Sequence, residues 1–188
     1  MITRDQAWEL LNSKMKNRNL IRHCLSVEAV MRALAKHFQE DEERWGIVGL
    51  LHDGDYEVSK DDPARHTLLM ADWLKEMGET DEEILSAILS HNYSHTGNNP
   101  PGNILEWSLY CCDELTGFIV AVALVRSEKK LSLVTVESIM KKWPQKAFAA
   151  GVHREQISAC GDKLGIKLED FISLSLSAMQ SVAPDLGL

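Results

Sequence analysis

Histidines and aspartates recur on the apolar faces of the helices that this sequence predicts. His23 lies four residues before Val27 and continues a buried stripe of apolar residues. His66 begins a similar stripe, and His91 ends another. Asp113 lies inside the most apolar segment of the chain. Because an ionisable group that faces a core must be paired, neutralised or bound to a metal, these positions predict a buried polar site.

A His-Asp pair, His52-Asp53, ends another predicted helix directly after two leucines. Each histidine alone has an ordinary explanation as a hydrogen-bonded core residue. Five segments that all offer imidazoles or carboxylates favour a shared site instead, with ligands that suit Mn, Fe, Co, Ni or Zn in an open catalytic centre. The remaining histidines are interpreted as surface or structural residues, although one in a loop could line the pocket: His37, His95 and His153.

The elements that must position these side chains are predicted to be helices. Apolar residues recur every three to four positions along nearly the whole chain, which predicts an all-α fold. Thr3 and Gln6 match a capping box that starts the first helix, and Thr80 with Glu83 matches another. Pro63 suits the first turn of a helix. The most apolar helix, over 104–126, is expected at the centre, and the loop over 92–102 is expected to border the site.

The length of 188 residues fits one domain, with residues 20–126 as its core and residues 127–188 as a helical extension packed on that core. A net charge of -8 argues against nucleic acid polymers as partners. The N-terminus does not resemble a secretory signal, and no apolar run approaches a membrane span. The four cysteines contain no CxxC pair and are interpreted as reduced core residues. Together these features predict a cytoplasmic protein without a membrane partner.

The ordered set His23, His52-Asp53 and Asp113 resembles the H…HD…D signature of the HD-domain metal-dependent phosphohydrolase superfamily. The chain looks most similar to the small bacterial HDIG-type proteins of that superfamily, and the resemblance covers about residues 20–126. It implies an all-α, HD-domain-like helical bundle. It also implies that these four side chains hold one divalent metal, with Mg added to the metals named above.

The resemblance allows a second metal. Several members of the superfamily use the paired aspartate, here Asp53, as a bridge to two further histidines, and His66 and His91 occupy those places in order. Binuclear members often carry two adjacent histidines at the second place, whereas this chain has Asn92 after His91, which leaves the second metal open. Asp55 stands where the cyclic-dinucleotide phosphodiesterases carry lysine, so a cyclic dinucleotide is not the expected substrate.

The implied activity is metal-dependent hydrolysis of a phosphoester of a nucleotide or another small phosphorylated molecule. Asp53 would act as ligand and orient the attacking water. Asp55 and Glu57 follow it closely and could shuttle a proton at the mouth of the site, or form an exposed acidic turn. The candidate phosphate contacts, each of which could also be a solvated basic side chain, are Lys60, Arg65 and Arg126.

Two other functions remain open from the sequence. Some members of the superfamily resemble di-iron oxygenases, and six potential ligands would allow that chemistry. A regulatory protein that binds metal or nucleotide without turnover is the other alternative, because no single carboxylate stands out as catalytic. The oligomeric state is left open, since fold-level analogy does not determine function or assembly.

Overall fold

The computed structural model describes all 188 residues and contains helices and no strands, which confirms the all-α prediction. The first eight helices build the part of the chain that carries the predicted site. They are α1 (Arg4–Lys14), α2 (Arg18–Phe38), α3 (Glu42–Leu51), α4 (Tyr56–Ser59), α5 (Leu68–Glu76), α6 (Glu82–His91), α7 (Tyr93–Thr96) and α8 (Ile104–Leu124). The C-terminal helices are α9 (Val136–Lys142), α10 (Arg154–Ser158), α11 (Cys160–Leu164), α12 (Leu168–Ser181) and α13 (Ala183–Leu186).

Helices α2, α3 and α8 form the centre of the molecule. The buried stripe of α2 includes Val27, Val30 and Leu34, as its spacing predicts. Helix α3 approaches α2 closely because Gly49 has no side chain: a Cβ there would lie 2.9 Å from the backbone of Glu28. This close packing brings the C-terminal end of α3 beside the first turns of α2.

Helix α8 is the most apolar helix and lies in the core, as predicted. By length and composition it could cross a membrane, although no single apolar run in the sequence suggested this. More than half of that window is buried inside the protein, and Leu115, Phe118 and Ile119 are fully buried. The helix is therefore accounted for as the central core helix, whose buried face packs on its neighbours.

The C-terminal helices pack on the central ones, with α10 and α11 against α8 and α12 against α2. Arg154 fixes the loop between α9 and α10. Its guanidinium donates hydrogen bonds to the backbone oxygens of Trp143 (2.9 Å) and Phe148 (2.6 Å) and lies 4.8 Å from the ring centroid of Phe118. This arrangement holds the start of α10 near the middle of α8.

Two of the three predicted helix starts need correction. The capping box of Thr3 and Gln6 is present. The second box is not: Asp81, and not Thr80, caps α6 by accepting from the backbone N–H of Glu83. Pro63 begins only a short 3-10 turn, Pro63–Arg65, and α5 starts later, at Leu68. The helix starts late because His66 has an extended backbone (ψ 138°) and Thr67 a left-handed one (φ 71°).

Candidate metal centre

Three central helices bring four of the predicted ligands together. His23 comes from α2, Asp113 from α8, and His52 with Asp53 from the end of α3. His23 Nε2 lies 2.8 Å from Asp113 Oδ1 and 3.6 Å from Asp53 Oδ2. His52 Nε2 lies 3.4 Å and 3.7 Å from the same two oxygens. The two Nε2 atoms are 3.2 Å apart. The ligand atoms of His23, His52 and Asp113 all lie within 4.8 Å of one another, and Asp53 lies beside both histidines.

The outer nitrogens of both imidazoles are already used. His52 Nδ1 lies 2.8 Å from the backbone oxygen of Gly49, to which it can only donate. His23 Nδ1 lies 3.3 Å from the hydroxyl of Thr116, whose own proton goes to the backbone oxygen of Asp113. Each ring therefore turns its Nε2 atom inward, where that atom can bind a metal or, without metal, carry a proton. Outer hydrogen bonds of this kind orient the histidine ligands of metal sites.

This convergence fits a divalent metal. Two imidazole lone pairs and two carboxylates facing one another are all acceptors, so a cation or protons must lie between them. Two ligand atoms, each ~2.1 Å from one metal, are ~3.0 Å apart in octahedral and ~3.4 Å apart in tetrahedral geometry. The observed distances from the Nε2 atoms, 2.8 to 3.7 Å, bracket these values.

A second cluster shares Asp53 with the first. Asp53 Oδ2 faces the first cluster, whereas its Oδ1 lies 3.2 Å from both His66 Nε2 and His91 Nε2. His66 is held by Asp55, whose Oδ1 accepts from His66 Nδ1 at 2.7 Å. The amide of Asn92 donates to the backbone oxygens of Pro63 and His66, at 2.8 and 3.2 Å. Asn92 thus fixes the segment that carries His66. His91 and Asp53 also group with His52, since one ligand atom of each lies within 4.8 Å of the others.

The negative charges of the aspartates raise the pKa values of two of the histidines that they contact, His23 and His66. Burial by itself would lower the pKa of His23, but the hydrogen bond and charge of Asp113, with the charge of Asp53, raise it to about 9. Burial likewise opposes protonation of His66, and contacts with Asp53 and Asp55 raise its pKa to about 9. Without metal, both imidazoles are therefore fully protonated and positively charged at neutral pH.

The same contacts keep the two aspartates ionised. Burial would raise the pKa of Asp53, yet the charge of His52 and the hydrogen bonds of neighbouring histidines hold that pKa well below its usual range. Burial opposes ionisation of Asp113 as well, and hydrogen bonds with His23 and His52 lower its pKa. A metal ion would therefore compete with protons on the histidines and would meet carboxylates that are already charged.

We expect the metal-free protein to lose stability as the pH rises from 6.5 through 9. The pKa values of His23 and His66 are raised from 6.5 to about 9, so their contribution to stability is present below pH 6.5 and is lost as pH passes 9. Bound metal replaces these protons, and its affinity rises with pH. The test is to measure the midpoint of thermal unfolding from pH 6 to 9.5, once with chelator and once with Mn²⁺. Parallel profiles in both conditions would contradict it.

Both clusters lie at the base of one open pocket of about 320 Å³. Its walls carry further carboxylate, imidazole, phenol and amide groups and no lysine or arginine. The residues that line it outside the two clusters are Leu20, Tyr56, Asn92, Ser94, His95, Tyr110, Glu114, Gly117 and Gln156. The pocket therefore has no lysine or arginine to contact an anionic group, and the positive charge near such a group would come from the imidazoles or from a bound metal at its base.

The three predicted phosphate contacts do not line this pocket. Lys60 comes nearest, because it lines a small adjoining pocket of about 100 Å³ with Tyr56 and His66. Arg65 is exposed and is not among the residues that line the pocket. Arg126 lies beyond the end of α8, and the 13 residues that separate it from Asp113 correspond to roughly 20 Å of helix. The helix predicted over 104–126 already implies this distance, because it carries both residues.

The two carboxylates predicted at the mouth lie elsewhere. Asp55 is fully buried and accepts from the backbone N–H of Met70 at 3.1 Å, in addition to its contact with His66. Glu57 accepts from the backbone N–H groups of Lys16 and Asn17, which lower its pKa. Asp55 therefore orients a histidine, and Glu57 ties α4 to the turn before α2. Neither carboxylate is among the residues that line the pocket.

Sequence reasoning missed several residues that line the pocket. Glu114 follows Asp113 directly, and its carboxylate accepts from the backbone N–H of His153 at 3.2 Å. Tyr110 precedes Asp113 by three residues, so helical spacing could have placed it on the same face. Gln156 comes from the C-terminal segment, and no local signal in the sequence indicates that it reaches the site. His95, for which the sequence leaves both a surface position and a place in the pocket wall open, is exposed and also lines the pocket.

Comparison with known proteins gives one match. The family model described as HD domain matches residues 20–146, about two thirds of the chain. The match includes every member of the two clusters and ends before α10. No curated protein and no solved structure matches the chain.

Proposed function

The chain belongs to the HD domain family, and from that membership we propose that it is a metal-dependent phosphohydrolase of a small phosphoester. One observation carries the proposal: six ligand-type side chains meet at the base of one open pocket, and Asp53 directs one oxygen to each cluster. HD domains are commonly enzymes of this class. The ligand set proposed for the first metal is His23, His52, Asp53 and Asp113, and a second metal would add His66 and His91.

A divalent metal held there would supply Lewis acidity toward a phosphoryl oxygen and would lower the pKa of water toward ~7. The protein's own contribution is orientation. Gly49, Thr116 and Asp55 fix three imidazoles so that their Nε2 atoms point inward. The walls carry no lysine or arginine, so the negative charge of a phosphate ester would be balanced mainly by the metal at the base of the pocket.

The size and charge of the protein support a small substrate. A pocket of about 320 Å³ is of the size typical for small-molecule sites. A net charge of -8 opposes polyanionic partners at the surface. All four cysteines are free and buried, which supports a cytoplasmic location.

The function is tested on the purified protein by elemental analysis, followed by a phosphoester panel after removal of metal and addition of Mn²⁺, Co²⁺, Ni²⁺, Mg²⁺ or Zn²⁺. We expect bound transition metal and metal-dependent release of phosphate. Metal and nucleotide binding without product would support the regulatory alternative instead. Bound iron with substrate-dependent oxygen uptake would support the oxygenase alternative.

A further inference from the structure

The walls of the metal pocket must supply hydrogen-bond donors if the pocket holds a phosphoryl group. A phosphoryl group presents several negatively charged oxygens, and no lysine or arginine lines the pocket. A bound metal would meet some of these oxygens, and the others would require neutral donors from the walls. The side chains there that can offer a proton are Tyr56, Asn92, Ser94, His95, Tyr110 and Gln156.

Most of these donors are exposed or already used. The amide nitrogen of Asn92 donates to two backbone oxygens. Ser94 and His95 are exposed, and the hydroxyl of the first lies 3.1 Å from Nδ1 of the second. Tyr56 is 42% exposed. Tyr110 is the part-buried phenol that remains.

The ring of Tyr110 is held beside the clusters by its neighbours. Tyr110 lies three residues before Asp113 on α8, so both side chains leave the same face of the helix, and both line the metal pocket. Trp107 packs edge-on against the ring, at 5.4 Å between centroids. The ring of Tyr93 lies on another side, at 6.4 Å. These contacts restrict the positions that the hydroxyl can take.

Gln156 determines where the phenolic proton can go. Burial raises the pKa of the Tyr110 phenol, and the hydrogen bond with Gln156 acts in the opposite direction. A hydrogen bond lowers the pKa of a phenol when it is donated to the phenolic oxygen, because it then stabilises the phenolate. The amide of Gln156 is therefore the donor. Tyr110 keeps its own proton at neutral pH and can offer it to another acceptor.

The C-terminal segment holds Gln156 in this position. Gln156 is 8% exposed and belongs to α10. The guanidinium of Arg154 donates to two backbone oxygens in the loop before α10, and the backbone N–H of His153 donates to Glu114 on α8. The family match ends at residue 146, so the partner of Tyr110 comes from outside it.

We propose that the hydroxyl of Tyr110 donates a hydrogen bond to a phosphoryl oxygen of the bound ester, and that Gln156 is the positioning residue that holds this hydroxyl in place. The inference rests on the proposed function and adds one residue that contacts the reacting group. Tyr110 keeps its proton throughout, and no bond to it forms or breaks. A hydrogen bond to a charged oxygen is stronger than one between neutral groups, so a single phenol can contribute substantially.

Tyr110→Phe tests the donor, because it removes the hydroxyl and keeps the ring. The assay is hydrolysis of p-nitrophenyl phosphate by the metal-loaded protein, with the metal content measured in parallel. We expect kcat/KM to fall about 10- to 100-fold at unchanged metal content. Full activity in the variant, or a loss of activity that follows a loss of metal, would overturn the donor.

Tyr93→Phe is the matched control. Tyr93 is also part-buried and packs near Tyr110, but it lines only the neighbouring groove and not the metal pocket. The same atom is removed, and we expect the rate of the wild type. An equal loss of activity in both variants would assign the effect to packing between the rings and contradict the proposal.

The positioning role of Gln156 is tested by combining two substitutions. Gln156→Leu keeps the approximate size of the side chain and removes its amide. We expect it to lower kcat/KM about three- to tenfold in the wild type and to have no further effect in the Tyr110→Phe background. A loss of the same size in both backgrounds would show that Gln156 acts without Tyr110, and no loss in either would remove its role.

Binding of inorganic phosphate separates the donor from the hydrolase function. Phosphate offers the same kind of oxygen without turnover, and its affinity for the metal-loaded protein can be measured by isothermal titration. We expect about tenfold weaker binding in Tyr110→Phe and unchanged binding in Tyr93→Phe. This result would support the donor even if no ester were hydrolysed. Hydrolysis at equal rates, with equal phosphate affinities in all three proteins, would leave the hydrolase and remove the donor.

Discussion

Asp53→Asn should abolish metal-dependent hydrolysis and reduce the metal content of both clusters. Asp53 is the one side chain that touches both, with Oδ2 toward His23 and His52 and Oδ1 toward His66 and His91. Asparagine keeps the shape but removes the charge and offers only one oxygen. Because loss of an outer hydrogen-bond partner already costs about 10- to 100-fold, loss of this shared ligand should exceed about 100-fold in activity. Elemental analysis and phosphate release measure the two effects.

Asp62→Asn provides the matched control for Asp53→Asn. Asp62 is an exposed aspartate in the loop that follows α4, so its substitution changes the net charge equally without touching either cluster. We expect normal metal content and activity. If Asp53→Asn kept full metal content and rate while Asp62→Asn behaved like the wild type, the assignment of Asp53 as the shared ligand would be wrong.

Asp55→Asn should remove the second metal selectively and leave the first. The carboxylate of Asp55 accepts from both His66 Nδ1 and the backbone N–H of Met70. An asparagine can offer its oxygen to only one of them. If its amide nitrogen faces His66, the ring must carry its proton on Nε2, the atom directed at Asp53, and ligation there is blocked. We expect metal affinity at the second cluster to fall about 10- to 100-fold.

An orienting role and a proton-shuttling role for Asp55 predict different effects of Asp55→Asn. An orienting role predicts a lower metal stoichiometry and, because one buried donor loses its partner, a loss of about 1–3 kcal/mol in the free energy of unfolding of the metal-free protein. A proton-shuttling role predicts normal metal affinity and an altered pH–rate profile. Titration with Mn²⁺ and the pH profile of Asp55→Asn distinguish them. An altered pH profile at unchanged stoichiometry would restore Asp55 as a proton carrier.

The local pattern of the sequence predicts much of the fold. The all-α class, the capped start of α1, the buried stripe of α2 and the central position of α8 follow from apolar spacing and end signals. The start of α5 and the cap of α6 do not follow from these local signals. Pro63 and Thr80 satisfy local rules for a helix start, but tertiary contacts that position His66 and a competing cap at Asp81 decide otherwise.

The candidate site also has one part that the sequence predicts and another that it does not. Helical periodicity identifies His23, His66, His91 and Asp113 as polar residues on buried faces, and the resemblance adds the His-Asp pair. The structure brings all six side chains together. Periodicity gives the face of a helix on which a residue lies, so it identifies inward-facing residues on five segments without giving the distances between them.

The surroundings of the clusters were decided by tertiary structure alone. A carboxylate after His-Asp could be exposed or buried, and only the packing of α5 shows that Asp55 reaches His66 and Met70. Gln156 shows the same limit, since α10 brings it to the pocket. The sequence determined which residues are inward-facing and able to bind metal. Distances between residues far apart in the chain depend on how helices cross, and that crossing determined the shape and charge of the pocket.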